Sequence, residues 1–394
     1  MNLEVTCASS IDEFIIGELS ARGELDDDPF IVNNLSETQA RVDLWRESFP
    51  KIRPFFALKA QNNPATRRLL VQNGVGFDVA SLQEMKDALG AGAAPEDLIF
   101  AQPYKQGSHL KFALERGIPS TCDCVDEIVK VGEMARGLGL PKPTILIRIL
   151  PHHQDSYKVD SFASKYGAPL HRLQDLLDVA EGSGVRIRGI SFHVGSNCHF
   201  SEPYTETLRL ARCWWDRLGG YLDTLDIGGG FPGEGGDLFI KMAKEINQSL
   251  DEHFGDIKEQ ITVIAEPGRF IATPSVTVVT KVITKKDLEQ FVLNTGKYGG
   301  LIAHWLYARG SKPYVIKQGA SAKNDKKEAN GEAGSNVQFW GPSCDSRDCL
   351  PDTYNFTESI NRGDWIVFPN LGAYTCNLMC TFNGFNIPPI HYIR

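Results

Sequence analysis

Residues 53–102 read RPFFALKAQNNPATRRLLVQNGVGFDVASLQEMKDALGAGAAPEDLIFAQ, and their rhythm decides the fold. Arg53–Leu58, Val75–Ala80 and Leu98–Gln102 are short apolar runs of strand length. Between them stand Pro64–Gln72 and Leu82–Gly90, whose apolar residues recur at helical spacing. Outward from this stretch the alternation continues. Further runs are Pro119–Cys124, Thr144–Ile149, Arg188–Val194, Tyr221–Ile227 and Ile261–Ala265, with helical spacing in Gln106–Arg116 and Glu127–Leu138. Strand–helix alternation implies right-handed crossovers and a parallel sheet. Eight such runs predict a closed (β/α)8 barrel of the TIM type over residues 30–270. An open doubly wound sheet is the rival that the same alternation admits.

After Arg269 the texture changes. Pro274–Thr284 alternates, and Gly363–Pro369 and Asn377–Phe382 are further strand candidates without regular helices between them. This predicts an antiparallel β-domain over residues 271–394, completed by residues 1–29. Within it, 318–336 (QGASAKNDKKEANGEAGSN) is polar and rich in Gly, Ala and Lys, and reads as a flexible surface loop.

Bulk composition bounds the function. The chain has 394 residues, more than one small core needs, with the 42% hydrophobic and 23% charged content of an ordinary globular protein. A formal charge of -8 argues against nucleic acid as a partner, which calls for a basic surface. No apolar run reaches the ~20 residues of a membrane span. MNLEVTCASSIDEF lacks the basic and apolar regions of a secretory signal, so a cytoplasmic location is expected. Nine cysteines without regular spacing read as reduced thiols. Cys122 and Cys124 form only C-x-C, with no matching His/Cys set, so no metal is expected.

In a barrel, catalytic groups lie just past the C-terminal ends of the strands. Lys59 follows the first run, Asp78 lies in the second, Arg148 in the fifth and His193 in the sixth. Gly228, Gly229 and Gly230 follow the seventh, and Glu266 the eighth. Singly, each has a plain structural explanation: a solvated lysine, a satisfied histidine, a tight glycine turn. On one rim they suit an aldehyde cofactor. Such a group needs a lysine amine for a Schiff base, a charge partner for a pyridinium nitrogen, and backbone amides for a phosphate. Glycines let those amides approach phosphate oxygens closely.

PFFALKAQNNP, GVGFDVAS, SFHVGSN, LDIGGGFPG, AEPGRF, WGPSCDSRD, GAYT and FNGF, in this order from Pro54 to Phe385, resemble the signature blocks of the eukaryotic ornithine decarboxylase family. The resemblance implies a pyridoxal 5'-phosphate barrel, a C-terminal β-domain and a head-to-tail homodimer with shared active sites. It implies that Lys59 carries the cofactor, Glu266 pairs with the pyridinium nitrogen and His193 stacks on the ring. Asp78 and Arg148 would lie around the Schiff base. Ser196, Gly230, Arg269 and Tyr374 would hold the phosphate, with Gly228, Gly229 and Gly268 shaping the site. Cys344, from the other subunit, would protonate Cα after carbon dioxide leaves. Asp345, from the same subunit as Cys344, would face the distal end of the substrate beside Phe385. Gly372 would shape the interface, and Lys165 resembles a lysine that bridges the dimer. The implied activity is decarboxylation of ornithine or a related basic or modified amino acid, in polyamine or alkaloid synthesis.

Two positions depart from the family pattern. In Asn294-Thr295-Gly296-Lys297-Tyr298-Gly299, Thr295 stands where the family has an aspartate that helps bind the distal ammonium. Asn197 stands where the family has a smaller residue. The missing carboxylate points to a substrate with a modified, neutral or bulkier distal end. A shifted loop in which Asp345 still binds ornithine is the alternative. A non-catalytic protein of the antizyme-inhibitor kind and a racemase are further readings. The first should lack cofactor contacts, and the second should carry a base in place of Cys344.

Overall fold

The computed structural model describes residues 4–23, 26–151, 162–219, 222–302, 312–319 and 335–394. The chain divides into two compact units, one spanning Arg41–Ile271 and the other Met1–Ala40 with Ala272–Arg394.

Strands β1 (Val5–Thr6) and β2 (Phe30–Asn34) come first and belong to the two-segment unit. The next eight are β3 (Ile52–Ala57), β4 (Gly76–Val79), β5 (Leu98–Phe100), β6 (Ser120–Cys122), β7 (Thr144–Arg148), β8 (Arg186–Ser191), β9 (Thr224–Asp226) and β10 (Thr262–Ala265). Each pairs in parallel with the next, and β10 returns to β3 through Val263 opposite Ile52 and Ala265 opposite Pro54. The eight apolar runs are the eight staves of a closed barrel, and the open-sheet rival fails because neither β3 nor β10 is an edge. Most staves are rich in apolar residues because both faces are covered. Phe56, Phe77, Phe100, Ile147, Ile190 and Leu225 are fully buried, each side chain contributing about 1.5–3 kcal/mol.

The turns that leave the strands are fixed by helix caps. Asn63 Oδ1 accepts the Ala65 N–H at 3.1 Å ahead of helix Pro64–Gln72, whose first residue is a proline already set for helical φ. Ser81 Oγ accepts the Glu84 N–H at 3.2 Å, while the Glu84 carboxylate accepts the Ala80 N–H at 2.6 Å. This reciprocal arrangement is close to a capping box. Lys59, just past β3, and Asp78, within β4, thus stand ahead of helices pinned at their N-termini.

The other unit adds β11 (Val276–Lys285), β12 (Gln290–Leu293), β13 (Tyr314–Ile316), β14 (Ser335–Trp340), β15 (Tyr354–Phe356), β16 (Trp365–Phe368) and β17 (Ile390–Ile393). With β1 and β2 they form one nine-stranded sheet. β11 pairs antiparallel with β2, β12 and β16, and β13–β16 and β14–β15 are also antiparallel. Parallel pairs β1–β17, β17–β2 and β12–β14 make the sheet mixed. Alternation along β11 feeds two cores. Val276 and Val278 join Phe339 and Phe368, and Val279 joins Phe30 and Trp365.

Residues 30–40 belong to the sheet unit rather than the barrel, because Phe30–Val32 pair with β11. The expected strand Asn377–Phe382 is instead two 3-10 turns, Cys376–Leu378 and Phe382–Gly384. Its Cys380 N–H goes to the Tyr298 carbonyl at 3.0 Å, and Asn383 and Gly384 turn the chain with φ of 56° and 77°. Of the expected loop 318–336, residues 320–334 lie outside the described residues. Ser335 and Asn336 already pair with Phe356 and Asn355 at the start of β14.

Candidate active site

The parallel barrel brings six of the expected groups to the C-terminal ends of its strands. Lys59 lies two residues beyond β3, Asp78 within β4, Arg148 at the end of β7 and His193 two residues beyond β8. Gly228–Gly230 follow β9 and Glu266 follows β10. Lys59 Nζ pairs with the buried Asp78 carboxylate. Glu266 is 6% exposed, and its pKa stands well above the usual carboxylate range. Burial is the largest cause, followed by the charges of Asp226 and Asp78.

His193 is a neutral imidazole. Burial, then the charges of Arg148 and Lys59, push its pKa well down. The Gly195 N–H donates to Nδ1 at 3.1 Å, which leaves the ring proton on Nε2. Phe162 packs against the ring at 5.0 Å between centroids. Arg148 lies over the Tyr166 ring at 4.8 Å.

The glycine turn is sculpted by its neighbours. A Cβ on Gly229 would lie 2.5 Å from the Glu266 carbonyl and 2.9 Å from His193 Nε2, so a side chain there would displace the imidazole. Gly230, at φ 108°, would put a Cβ 2.3 Å from the Gly195 carbonyl. Cys198 N–H donates to the Gly230 carbonyl at 2.8 Å and Tyr204 Oη to the Gly229 carbonyl at 3.0 Å. Arg41 Nη2 donates to the Gly233 and Glu234 carbonyls, each at 2.9 Å.

Arg269 Nη2 donates to Ser196 Oγ at 3.0 Å. That pair, with the Gly230 turn, makes a cup of cation, hydroxyl and backbone suited to a phosphate. Gly268 donates its N–H to the Glu266 carbonyl at 2.8 Å and so shapes the turn that carries Glu266. Asn197 has φ 58°, a left-handed conformation that asparagine tolerates. Lys165 is exposed, and its carbonyl accepts the Tyr104 hydroxyl at 2.6 Å.

The remaining expected residues lie in the sheet unit. Tyr374 has φ 59°. A Cβ on Gly372 would meet the Ala272 carbonyl at 1.7 Å. Thr295 is buried and lines a cleft of about 200 Å3 with Tyr298, Ser343, Asp348 and Phe385. Phe385 is 44% exposed. Cys344 is exposed, and its N–H donates to Asn383 Oδ1 at 2.8 Å. Asp345 accepts from the Arg347 N–H at 3.0 Å, the Tyr298 hydroxyl at 2.7 Å and Arg347 Nε at 3.3 Å. These donors, the Arg347 N–H first, hold its pKa down at about 2.

Three groups escaped the sequence reading. Asp226, the last residue of β9, is fully buried against Glu266. Its signal was an acid in strand β9 two residues before the glycines. His199 and Glu234 pair at 3.4 Å, joining the segment after β8 to that after β9. Arg347, two residues beyond Asp345, was visible as a cation beside the expected substrate anion.

The residues fit a phosphorylated aldehyde on a pyridine ring: an amine and its carboxylate, a buried acid for the ring nitrogen, a neutral ring to stack, and an anion cup. That set, on a closed barrel joined to a mixed sheet, defines a pyridoxal-phosphate enzyme of the barrel type. Residues 35–273 match the pyridoxal-binding domain of the pyridoxal-dependent decarboxylases. The chain is 32% identical to the ornithine decarboxylase of Schizosaccharomyces pombe, covering 96% of this chain and 86% of that one. It is 31% identical to antizyme inhibitor 2 of Xenopus laevis, covering 98% and 85%. The crystal structure of lysine decarboxylase from Selenomonas ruminantium matches with a TM-score of 0.81 at 29% identity, covering 97% and 96%. The chain belongs to the pyridoxal-dependent decarboxylase family that includes ornithine decarboxylase, and it is a pyridoxal-phosphate-dependent amino-acid decarboxylase.

Proposed function

We propose that the substrate is an amino acid of about ornithine's size whose distal nitrogen is substituted or replaced by a neutral polar group. The observation that carries this is the distal charge set. Thr295 replaces one family carboxylate, and the other, Asp345, is already engaged by Tyr298 and Arg347. An ammonium is costly to bury without an anionic partner, and a carboxylate already neutralised by a guanidinium is a poor one.

The proposed roles follow from the chemistry. Bound pyridoxal phosphate supplies a protonated pyridine ring that withdraws the electron pair left on Cα when carbon dioxide departs. Lys59 binds the aldehyde carbon, with Asp78 orienting its amine. Glu266 keeps the ring nitrogen protonated, since an opposite charge favours the charged form. Neutral His193 stacks on the ring without competing for that charge. Ser196, Gly230, Arg269 and Tyr374 hold the phosphate. Cys344 and Asp345 come from a second copy of the chain, so the active unit is a homodimer. The Cys344 thiol gives its proton to Cα.

The likeness to an antizyme inhibitor raises a purely binding role. The retention of Lys59, Asp78, His193, Glu266 and Arg269 in one site favours the enzyme. The test is carbon dioxide release by the purified holoprotein from L-ornithine, L-lysine, L-arginine and ornithines acylated or alkylated at the distal nitrogen. We expect the best kcat/KM on a substituted form, with ornithine at least about tenfold lower. A preference for free ornithine overturns the reading.

A further inference from the structure

Asp226 has no accessible surface. It closes β9, paired with Ile264 of β10, so its side chain sits beside the turn that carries Glu266. Its Oδ1 accepts the Gly228 N–H at 2.8 Å. Its Oδ2 has no donor among the described residues unless the facing Glu266 carboxyl carries a proton. Two carboxylates in contact and buried to this degree cannot both stay ionised. The surroundings reinforce this. Asp78 adds a third carboxylate, and its charge is taken up by Lys59. Arg148 favours ionisation of both Asp226 and Glu266 without pairing to either. Burial is the largest influence on both acids, lifting Asp226 to about 7 and Glu266 well above the usual carboxylate range.

We propose that Asp226 and Glu266 hold one proton between them and that its residence switches. It sits on Glu266 while no cation faces that carboxyl, and it moves to Asp226 Oδ2 when the cofactor's ring N–H is presented to Glu266. No electrons move; one O–H bond breaks on Glu266 and one forms on Asp226. Protonated Asp226 then donates to Glu266 and holds the ionised carboxylate in place, while the Gly228 N–H anchors Asp226 from behind. Asp226 is therefore a positioning residue for Glu266. The inference rests on Glu266 facing the ring nitrogen.

Asparagine at this position reproduces the protonated acid: its amide donates to Glu266 and its carbonyl accepts from Gly228. Alanine supplies neither. The experiment titrates pyridoxal 5'-phosphate into cofactor-free Asp226→Asn, Asp226→Ala, Glu266→Ala and wild-type protein between pH 6 and 9. It reads affinity and the absorbance of the bound cofactor. Asp226→Asn should bind within about threefold of wild type. Asp226→Ala should bind at least about tenfold more weakly, the worth of a lost hydrogen bond to a charged group. Asparagine failing as badly as alanine overturns the proposal, because an ionised Asp226 is then required. Both variants matching wild type overturns it equally. If Asp226→Ala does not fold, Asp226→Asn decides alone: binding within about threefold of wild type supports the proposal, and a tenfold loss sinks it. Unchanged affinity in Glu266→Ala instead removes Glu266 from the ring nitrogen, a failure of the parent assignment that the other variants do not mimic.

Discussion

Thr295→Asp puts a carboxylate back at the one distal position where this chain lacks it. The side chain at 295 is 5% exposed, in a cleft that already holds Asp348. Asp348 accepts from the Lys297 N–H at 2.8 Å, the Ser343 N–H at 3.2 Å and the Ser343 hydroxyl at 2.6 Å, and a carboxylate offers a second one no donor. In the free protein the new carboxylate is poorly solvated and faces a like charge. It finds a partner only when a distal ammonium enters. A hydrogen bond between charged groups contributes about 1.5–3 kcal/mol. Desolvation and Asp348 offset part of this, so we take the low end, about 1.4 kcal/mol or tenfold. The expected result is a kcat/KM for L-ornithine raised about tenfold, mainly through KM, with substituted ornithines losing ground. The burial cost should lower Tm by about 2–4 °C, roughly 1 kcal/mol for a domain of this size, and ornithine should recover it. Steady-state carbon dioxide release and thermal melts with and without ornithine make the measurement. The reasoning is refuted if the variant melts cooperatively and binds cofactor, wild type prefers ornithine, and the substitution brings no gain. A neighbouring carboxylate would then have taken over the missing role.

Other outcomes follow from the same geometry. Lys59→Ala should abolish the long-wavelength absorbance of the bound cofactor; an unchanged band would remove Lys59 from the site. Mixing inactive Lys59→Ala and Cys344→Ala subunits should restore activity, with one native site in each mixed dimer. Silence despite demonstrated subunit exchange would sink the shared site. The His199–Glu234 pair has a pH signature. Glu234 raises His199 by a hydrogen bond and its charge, and His199 lowers Glu234. Stability from His199 is present below its unfolded pKa near 6.5 and fades as pH rises through its raised folded value. Stability from Glu234 is present above about 4.5 and fades as pH falls through its depressed value. With the side chains 36% and 58% exposed, the pair contributes under about 1 kcal/mol. A wild-type advantage in Tm over His199→Gln should therefore appear near pH 5.5–6 and vanish by about pH 8.5. An advantage that persists at pH 8.5 would mean packing, not charge.

The barrel was legible because parallel strands covered on both faces are rich in apolar residues, and eight such strand-length runs alternate with helical spacing. The sheet unit was less so. Asn377–Phe382 alternates like a strand, yet its amides serve the Tyr298 turn, a long-range choice no local pattern carries. Phe30–Asn34 is as apolar as a barrel strand, and only its partners β11 and β17 reveal where it belongs. At the site, Lys59, Asp78, Arg148, His193 and Glu266 could be read because each stands near or just past the end of a run. Asp226 was passed over although it stands as near the end of its own run, Tyr221–Ile227. Its significance comes from the lack of any donor at Oδ2, a three-dimensional fact. His199 and Glu234 are 35 positions apart, 234 minus 199, with separate local roles until the fold joins them.

Strand β2 lies between β11 and β17, with Ile31 opposite both Val278 and Ile390. One of the earliest segments to leave the ribosome must therefore wait for one of the latest. At ~5–20 residues per second, the interval from Asn34 to Ile393 is on the order of 20–70 s. Until β11 emerges the apolar FIV segment has neither flank covered, and until β17 emerges it has only one, while the barrel staves Ile52–Ala265 emerge and have all their partners. A nascent chain stalled near residue 300 should thus carry a protease-resistant barrel beside an unsheltered, chaperone-binding N-terminal segment. The same adjacency sets Val5 beside Tyr392 in one ladder. The two ends of the described chain are neighbours, so a short linker could join them and new termini be opened elsewhere with the sheet intact.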